Sequence, residues 1–171
     1  MKNKKIILLI ITVLSIVALT ACAKENKKSE NSPSKTEQNN TTNTVTKIEV
    51  KRKEFLERLD NIQKELDALP EKKDSDAGIT SAMRSYYGRS YDMYDKALNE
   101  IYSLLKKQLS AEVMKNLQAE QIEWIKQKET LANKEAAQYR GGTFEFVAYN
   151  VSLFQSTKER CYELVNKYMI D

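Results

Sequence analysis

The sequence predicts an all-α protein: an antiparallel helical bundle of three to four helices, preceded by a signal peptide and a disordered tether. Three observations predict it. Apolar residues recur at about 100° per residue in four successive segments, and no segment sustains the two-residue alternation of a half-buried strand. Short clusters of turn and capping residues separate the segments, as expected for neighbouring helices of an antiparallel bundle.

Residues 1–21 read as a lipoprotein signal peptide. "MKNKK" is cationic, and Ile6 to Leu19 is a mostly apolar run of about fourteen residues, shorter than a comfortable spanning helix. "LTAC" closes the segment. A leucine three before a cysteine, with small residues between, resembles the bacterial lipobox. In proteins so marked the cysteine is lipidated and becomes the first mature residue. Cys22 is therefore expected to anchor the protein to the cell membrane, facing outside the cytoplasm, since each buried methylene of an acyl chain contributes about 0.8 kcal/mol. Residues 22–46 continue as "CAKENKKSENSPSKTEQNNTTNTVT", polar and without hydrophobic period. This is the tether, with a reach of roughly 25 to 30 Å.

Composition excludes several function classes. The chain has no histidine, so imidazole serves neither as general base nor as metal ligand. It has two cysteines. With Cys22 lipidated, Cys161 is left without an internal disulfide partner. The 28 basic and 24 acidic residues give a formal +4, but Lys2, Lys4 and Lys5 belong to the signal and the mature chain is nearly neutral. No basic excess points to nucleic acid. No metal, cofactor or catalytic residue is expected, and no activated nucleophile stands out from the solvated helix faces.

The helices follow in order. Ile48, Phe55, Leu59, Ile62, Leu66 and Leu69 form a stripe on a helix expected over residues 47–70, ended by Pro70 and "EKKDSDAG". The stripe repeats almost every seven residues. It either docks on the bundle as a further helix or pairs with a second copy in a homodimer. Residues 79–170 carry the rest. Thr80 is placed as N-cap of a helix with the stripe Met83, Tyr87, Tyr91, Tyr94, Leu98, Ile101, Tyr102, Leu105 and Leu109. Tyr86 lies about 100° from Tyr87 and is expected to be exposed. Ser110 is placed as the next cap, before a stripe of Val113, Leu117, Gln121, Trp124 and Leu131. Thr143 is placed as the cap of the last helix, whose stripe is Val147, Val151, Phe154, Cys161, Val165 and Tyr168. Trp124 follows Leu117 by seven residues, about 20° away around the helix, which centres it on the buried stripe. Cys161 faces inward and is expected to be a buried, slowly reacting thiol.

Several motifs fall in a recognisable order: "DKALNEIY" (Asp95 to Tyr102), "LQAEQIEWIKQKE" (Leu117 to Glu129), "GGT" (Gly141 to Thr143), and Thr157 with Arg160. Together they resemble the pattern of the lysozyme inhibitor LprI-like N-terminal domain over roughly Thr80 to Leu164. The matching positions are Asp95, Leu98, Asn99, Tyr102, Leu117, Ala119, Gln121, Trp124, Ile125, Gly141, Gly142, Thr143, Thr157 and Arg160. The resemblance implies an extracytoplasmic helical domain whose namesake blocks lysozyme by binding, without chemistry of its own. Lysozyme or another wall-active protein is the implied partner. The departures are Lys128 and Glu129, where the pattern usually has arginine and aspartate. Family members also often carry cysteines near the positions of Tyr86, Ala132 and Ser152.

The family-motif residues read first as structural. Asp95 and Arg160 lie at the rims of their stripes and are expected to pair across the second and last helices, with Asn99 and Gln121 as further polar members. Gly141 and Gly142 suit a left-handed helix C-cap and a tight reversal. Arg140, which leads that turn, is the candidate partner-binding residue, because the catalytic carboxylates of a lysozyme cleft attract a cation. The alternative is an envelope scaffold or glycan-binding lipoprotein with no lysozyme-inhibiting activity.

Overall fold

The computed structural model describes residues 44–50 and 52–171. The signal peptide, Cys22 and nearly all of the tether lie outside the described residues. The elements run β1 (Ile48–Glu49), α1 (Arg52–Asp67), α2 (Lys72–Asp76), α3 (Thr80–Gln108), α4 (Ala111–Ala137), α5 (Glu145–Tyr168) and β2 (Met169–Ile170). Four long helices make the expected bundle. α5 lies along α3 and α4 and also meets α1.

Side-chain contacts set the directions. Tyr87 meets Phe154, and Cys161 Sγ donates to the Tyr94 carbonyl at 3.4 Å, so α3 and α5 run parallel. α4 runs against α5, with Lys167 on Glu120 and Tyr149 on Glu129. α1 also runs against α5, through Tyr162 on Asp60 and Lys158 on Gln63. The core fills the space between α1, α3 and α5 with Leu59, Leu66, Tyr94, Ile101, Leu105, Leu164 and Val165, and Leu117 reaches it from α4. Tyr94 is fully buried, and its hydroxyl donates to the Leu59 carbonyl at 3.1 Å. A buried phenol thus keeps its partner while the ring packs.

The first helix starts later than expected, at Arg52 instead of residue 47. Ile48–Glu49 is extended and pairs in parallel with Met169–Ile170, burying Ile48 and tying the two ends of the domain together. Backbone pairing and burial of both Ile48 and Met169 outweigh continuation of the helix. The first turn of α1 is capped from far along the chain, because the Lys53 N–H donates to the Asp171 carboxylate at 2.8 Å. Leu59 and Leu66 are buried, and α1 packs on α3 and α5. α1 thus docks on the bundle, the first of the two readings of its heptad-like stripe.

Other expectations are corrected in detail. "EKKDSDAG" does more than stop a helix: its middle forms α2, which packs on α3, and Gly78 then turns the chain at φ +80°. That short helix explains Tyr86. Expected to be exposed, it is buried, with the Lys72 ammonium 5.6 Å above its ring. Three caps also differ. Thr80 is already helical and Ile79 holds the cap position. Ser110 occupies its cap position, but its hydroxyl makes no cap bond. Phe144 holds the cap position of α5 instead of Thr143. At that last end a carboxylate works backward instead, as the Gly141 N–H donates to Glu145 Oε2 at 2.8 Å.

Beyond Trp124 the buried face of α4 departs from the expected stripe. Leu131 is exposed, whereas the buried path steps from Leu117 through Lys128 to Ala132 and Ala136. Steps of four residues follow the ridge that a helix presents to a crossing neighbour. Small alanines let the C-terminal half of α4 approach α5, and the long apolar Leu131 is left outside.

Candidate functional site

The polar and aromatic family-motif residues of the helices gather in a seam where α4 meets α3 and α5, whereas Gly141, Gly142 and Thr143 stand in the turn between α4 and α5. Leu98 and Leu117 are core residues, and Tyr102 is half-buried against the core. Thr157 is fully buried, and its hydroxyl has no hydrogen-bond partner. The polar members are arranged around Trp124.

Arg160 extends from α5 and is only 5% exposed. Its Nε donates to Gln121 Oε1 at 3.0 Å, and its Nη1 lies 2.8 Å from Glu163. Glu120 stands 3.9 Å from Nη2. The guanidinium carbon lies 5.9 Å from the centre of the Trp124 ring. The Lys128 ammonium is 4.9 Å from that ring and 5.2 Å from the ring of Tyr91. Lys128 is 7% exposed, and its Nζ lies 3.4 Å from the Tyr91 hydroxyl. Burial lowers the Lys128 pKa, partly offset by Asp95 and Glu129. Burial, helped by Asp95, pushes the Tyr91 phenol up to about 12.

Trp124 is therefore a packed post and a cation platform at once: half-buried against the core, with a cation from α4 and another from α5 on its ring. Cation–π contacts strengthen when the cation is desolvated, as both are here. The expected pairing of Asp95 with Arg160 is not formed. Asp95 accepts from Asn99 one turn along its own helix, at 3.1 Å, while Arg160 turns to Gln121 and the glutamates. The Gln121–Arg160 half of the expected network is present. Lys128 supplies the link to α3 that Arg160 was expected to make.

Cys161 is fully buried, and burial pushes its thiol up to about 12. It is a poor nucleophile at neutral pH. Among the described residues no cluster of acidic or cysteine side chains could hold a metal ion.

The turn between α4 and α5 is the contrasting region. Tyr139, Arg140, Gly141, Gly142 and Thr143 are all exposed. Gly141 adopts φ +78°, which L side chains rarely adopt. A Cβ on Gly142 would come within 3.1 Å of the Tyr139 carbonyl, which accepts from the Gly142 N–H at 2.9 Å. Both glycines thus serve the reversal, and Arg140 is presented at its apex with no ion-pair partner among the described residues. Tyr139 packs edge-on against Phe144, with ring centres 4.8 Å apart, yet remains 44% exposed. Phe146 is 47% exposed beneath the Arg84 guanidinium, 4.7 Å from its ring centre. A hollow of about 330 Å³ lies beside them, lined by Arg84, Asn133, Thr143, Phe146 and Tyr149 among others.

Sequence reasoning selected Arg140 and missed Arg84, Tyr139 and Phe146. Phe146 was readable in part, since it precedes Val147 and falls about 100° off the buried stripe. Arg84 was not, because only the fold brings the start of α3 beside the start of α5.

A family model described as "Lysozyme inhibitor LprI" matches residues 70–164. No curated protein and no solved structure matches the chain. The matched span covers α2, α3, α4 and most of α5, and so takes in the seam and the α4–α5 turn together. The chain belongs to the lysozyme inhibitor LprI family.

Proposed function

We propose that this protein is a membrane-anchored, extracytoplasmic lipoprotein that binds lysozyme and occludes its cleft without catalysing a reaction. The observation that carries the reading is the family match, joined to the exposed Arg140 turn. Exposed tyrosine and arginine dominate protein–protein hot spots, because they combine large contact area with directed hydrogen bonds. At the tip, Tyr139 and Phe146 supply area and Arg140 a cation free to meet carboxylates. A glycoside hydrolase places two carboxyl groups about the scissile bond, so its cleft attracts such a cation. The seam supports the tip by fixing α4 against α5, the two helices that the turn connects.

Anchoring rests on Cys22. Lipid on that residue would hold the domain above the membrane on a tether of roughly 25 to 30 Å. The test of binding is a titration of the full chain against lysozyme while wall hydrolysis is followed. Saturable inhibition with an isolable complex is expected. Undiminished hydrolysis at tens of micromolar would overturn the reading. For the anchor, Cys22→Ser is expected to lose the acyl mass and leave the membrane fraction; retention of the variant there would remove the lipid assignment.

A further inference from the structure

A second concavity, separate from the seam and the tip, lies where α1, α2, α3 and α5 meet. It is a groove of about 880 Å³, and it shares no lining residue with the hollow at the tip. Sites for small ligands commonly fall between about 300 and 1,000 Å³ and combine aromatic surface with a few convergent polar groups. This groove has both. Tyr86, Tyr87, Phe154 and Tyr162 supply the aromatic surface. Tyr87 is held at a fixed angle, edge-on to Tyr86 at 5.1 Å and tilted to Phe154 at 6.2 Å, but remains only half-buried.

The polar groups fall into two sets. One wall is braced by the protein itself: Gln63 donates to Asp67 at 2.9 Å and accepts from Lys158 at 2.7 Å. Lys72 is likewise engaged with Asp76. On the opposite rim Gln155 and Glu159 are exposed, and their side chains have no hydrogen-bond or ion-pair partner among the described residues. A braced wall, a fixed aromatic floor and an unengaged amide and carboxylate on the rim form a surface prepared for hydrogen bonding.

Charge narrows the ligand class. Three carboxylates, Asp67, Asp76 and Glu159, line the groove with two ammonium groups, Lys72 and Lys158, and the excess of negative charge disfavours an anion. A cationic ligand would need the aromatic faces, but the protein's own ammonium groups already cover two of them. Lys72 lies 5.6 Å above Tyr86, and Lys158 lies 5.9 Å from Phe154. What fits is a neutral ligand with hydroxyls, an amide and one apolar face. We infer that the groove binds an oligosaccharide of N-acetylated amino sugars. A pyranose C–H face rests on Tyr87, Glu159 accepts from ring hydroxyls, and Gln155 meets the acetamido group. The inference does not depend on lysozyme binding, which is assigned to the turn between α4 and α5.

The experiment uses the full chain, isotope-labelled and held in a detergent without a sugar head group, titrated with tetra-N-acetylchitotetraose and separately with cellotetraose. Saturable shifts confined to groove residues are expected for the first sugar at up to about 10 mM, with weaker binding of the second. Tyr87→Ala and Glu159→Gln are each expected to lower affinity by about fivefold. Glu159→Gln removes only an exposed, unpaired charge, so it keeps the test sharp if Tyr87→Ala fails to fold. Glu135→Gln, away from the groove, is expected to change nothing. Absence of saturable shifts, shifts centred elsewhere, or full affinity in Glu159→Gln would overturn the site. Equal binding of cellotetraose would overturn the amino-sugar assignment.

Discussion

Two arginines separate the two halves of this molecule's work. Arg160 is buried in the seam and committed to Gln121, Glu163 and the face of Trp124. Arg140 stands at the tip, exposed and without an ion-pair partner among the described residues. Both are cations on or beside α5, and their surroundings give them opposite roles. A desolvated guanidinium holds helices in register only while its partners are in place. A solvated one with nothing to hold can be spent on a partner. Arg160 is among the positions that match the family pattern and Arg140 is not, although its neighbours Gly141, Gly142 and Thr143 are.

The contrast breaks most easily at the seam. Arg160→Ala is expected to cost about 2 to 3 kcal/mol, from loss of charge-assisted hydrogen bonds and of packing on Trp124, read by chemical denaturation. Trp124→Ala is expected to cost about 2 kcal/mol. That is less than the 3 to 5 kcal/mol typical of a fully buried tryptophan, because the ring is only half-buried. Full stability in either variant would mean that the seam is not structural.

Alkaline pH probes the same interior. Burial raises Tyr91 and Tyr94 from 10.0 to about 12, and Cys161 from 9.0 to about 12. The unfolded chain therefore releases these protons first, so stability is intact below about pH 9 and falls from there towards pH 12. Lys128 works in the opposite sense. Its folded pKa lies below 10.5, so the unfolded chain binds the proton more tightly and the burial penalty is relieved as pH rises through that window. Lys128→Met should be neutral or stabilising by about 1 kcal/mol near neutral pH, since an apolar side chain of similar length avoids desolvating a charge. It should also deepen the alkaline loss. Strong destabilisation at neutral pH would show that the cation itself holds α4 to α3. The smallest effect concerns Cys161, whose labelling by a thiol reagent should be slow in the native state and fast in denaturant. Rapid native labelling would contradict its burial.

Much of the architecture was legible because four apolar stripes at helical spacing leave few other solutions. The misreadings have a common cause. The angle of Tyr86 from Tyr87 predicts exposure, yet α2, formed within a polar stretch, packs on α3 and sets Lys72 over its ring. Ile48 fits the helical period but is captured by a strand partner at the far end of the chain. Leu131 fits an apolar stripe but is exposed, whereas Lys128, a polar residue in sequence, is buried against Trp124 and against Tyr91 of α3. The Asp95–Arg160 pair failed for a related reason. Periodicity gives a residue's angle on its own helix, and partners are chosen by interhelical distances that no single stripe contains. The tip was half legible: Arg140 and the glycines are local, whereas Arg84 on Phe146 is tertiary.

The division of labour between seam and tip is tested most directly by measuring stability and lysozyme affinity on the same two variants of the full chain. Arg140→Ala is expected to leave the denaturation midpoint unchanged and to weaken lysozyme binding by about tenfold or more. Arg160→Ala is expected to lower the midpoint, and at temperatures where it remains folded to bind lysozyme nearly as the parent does. If Arg140→Ala binds with full affinity while Arg160→Ala, still folded, loses it, the seam and not the tip is the binding surface.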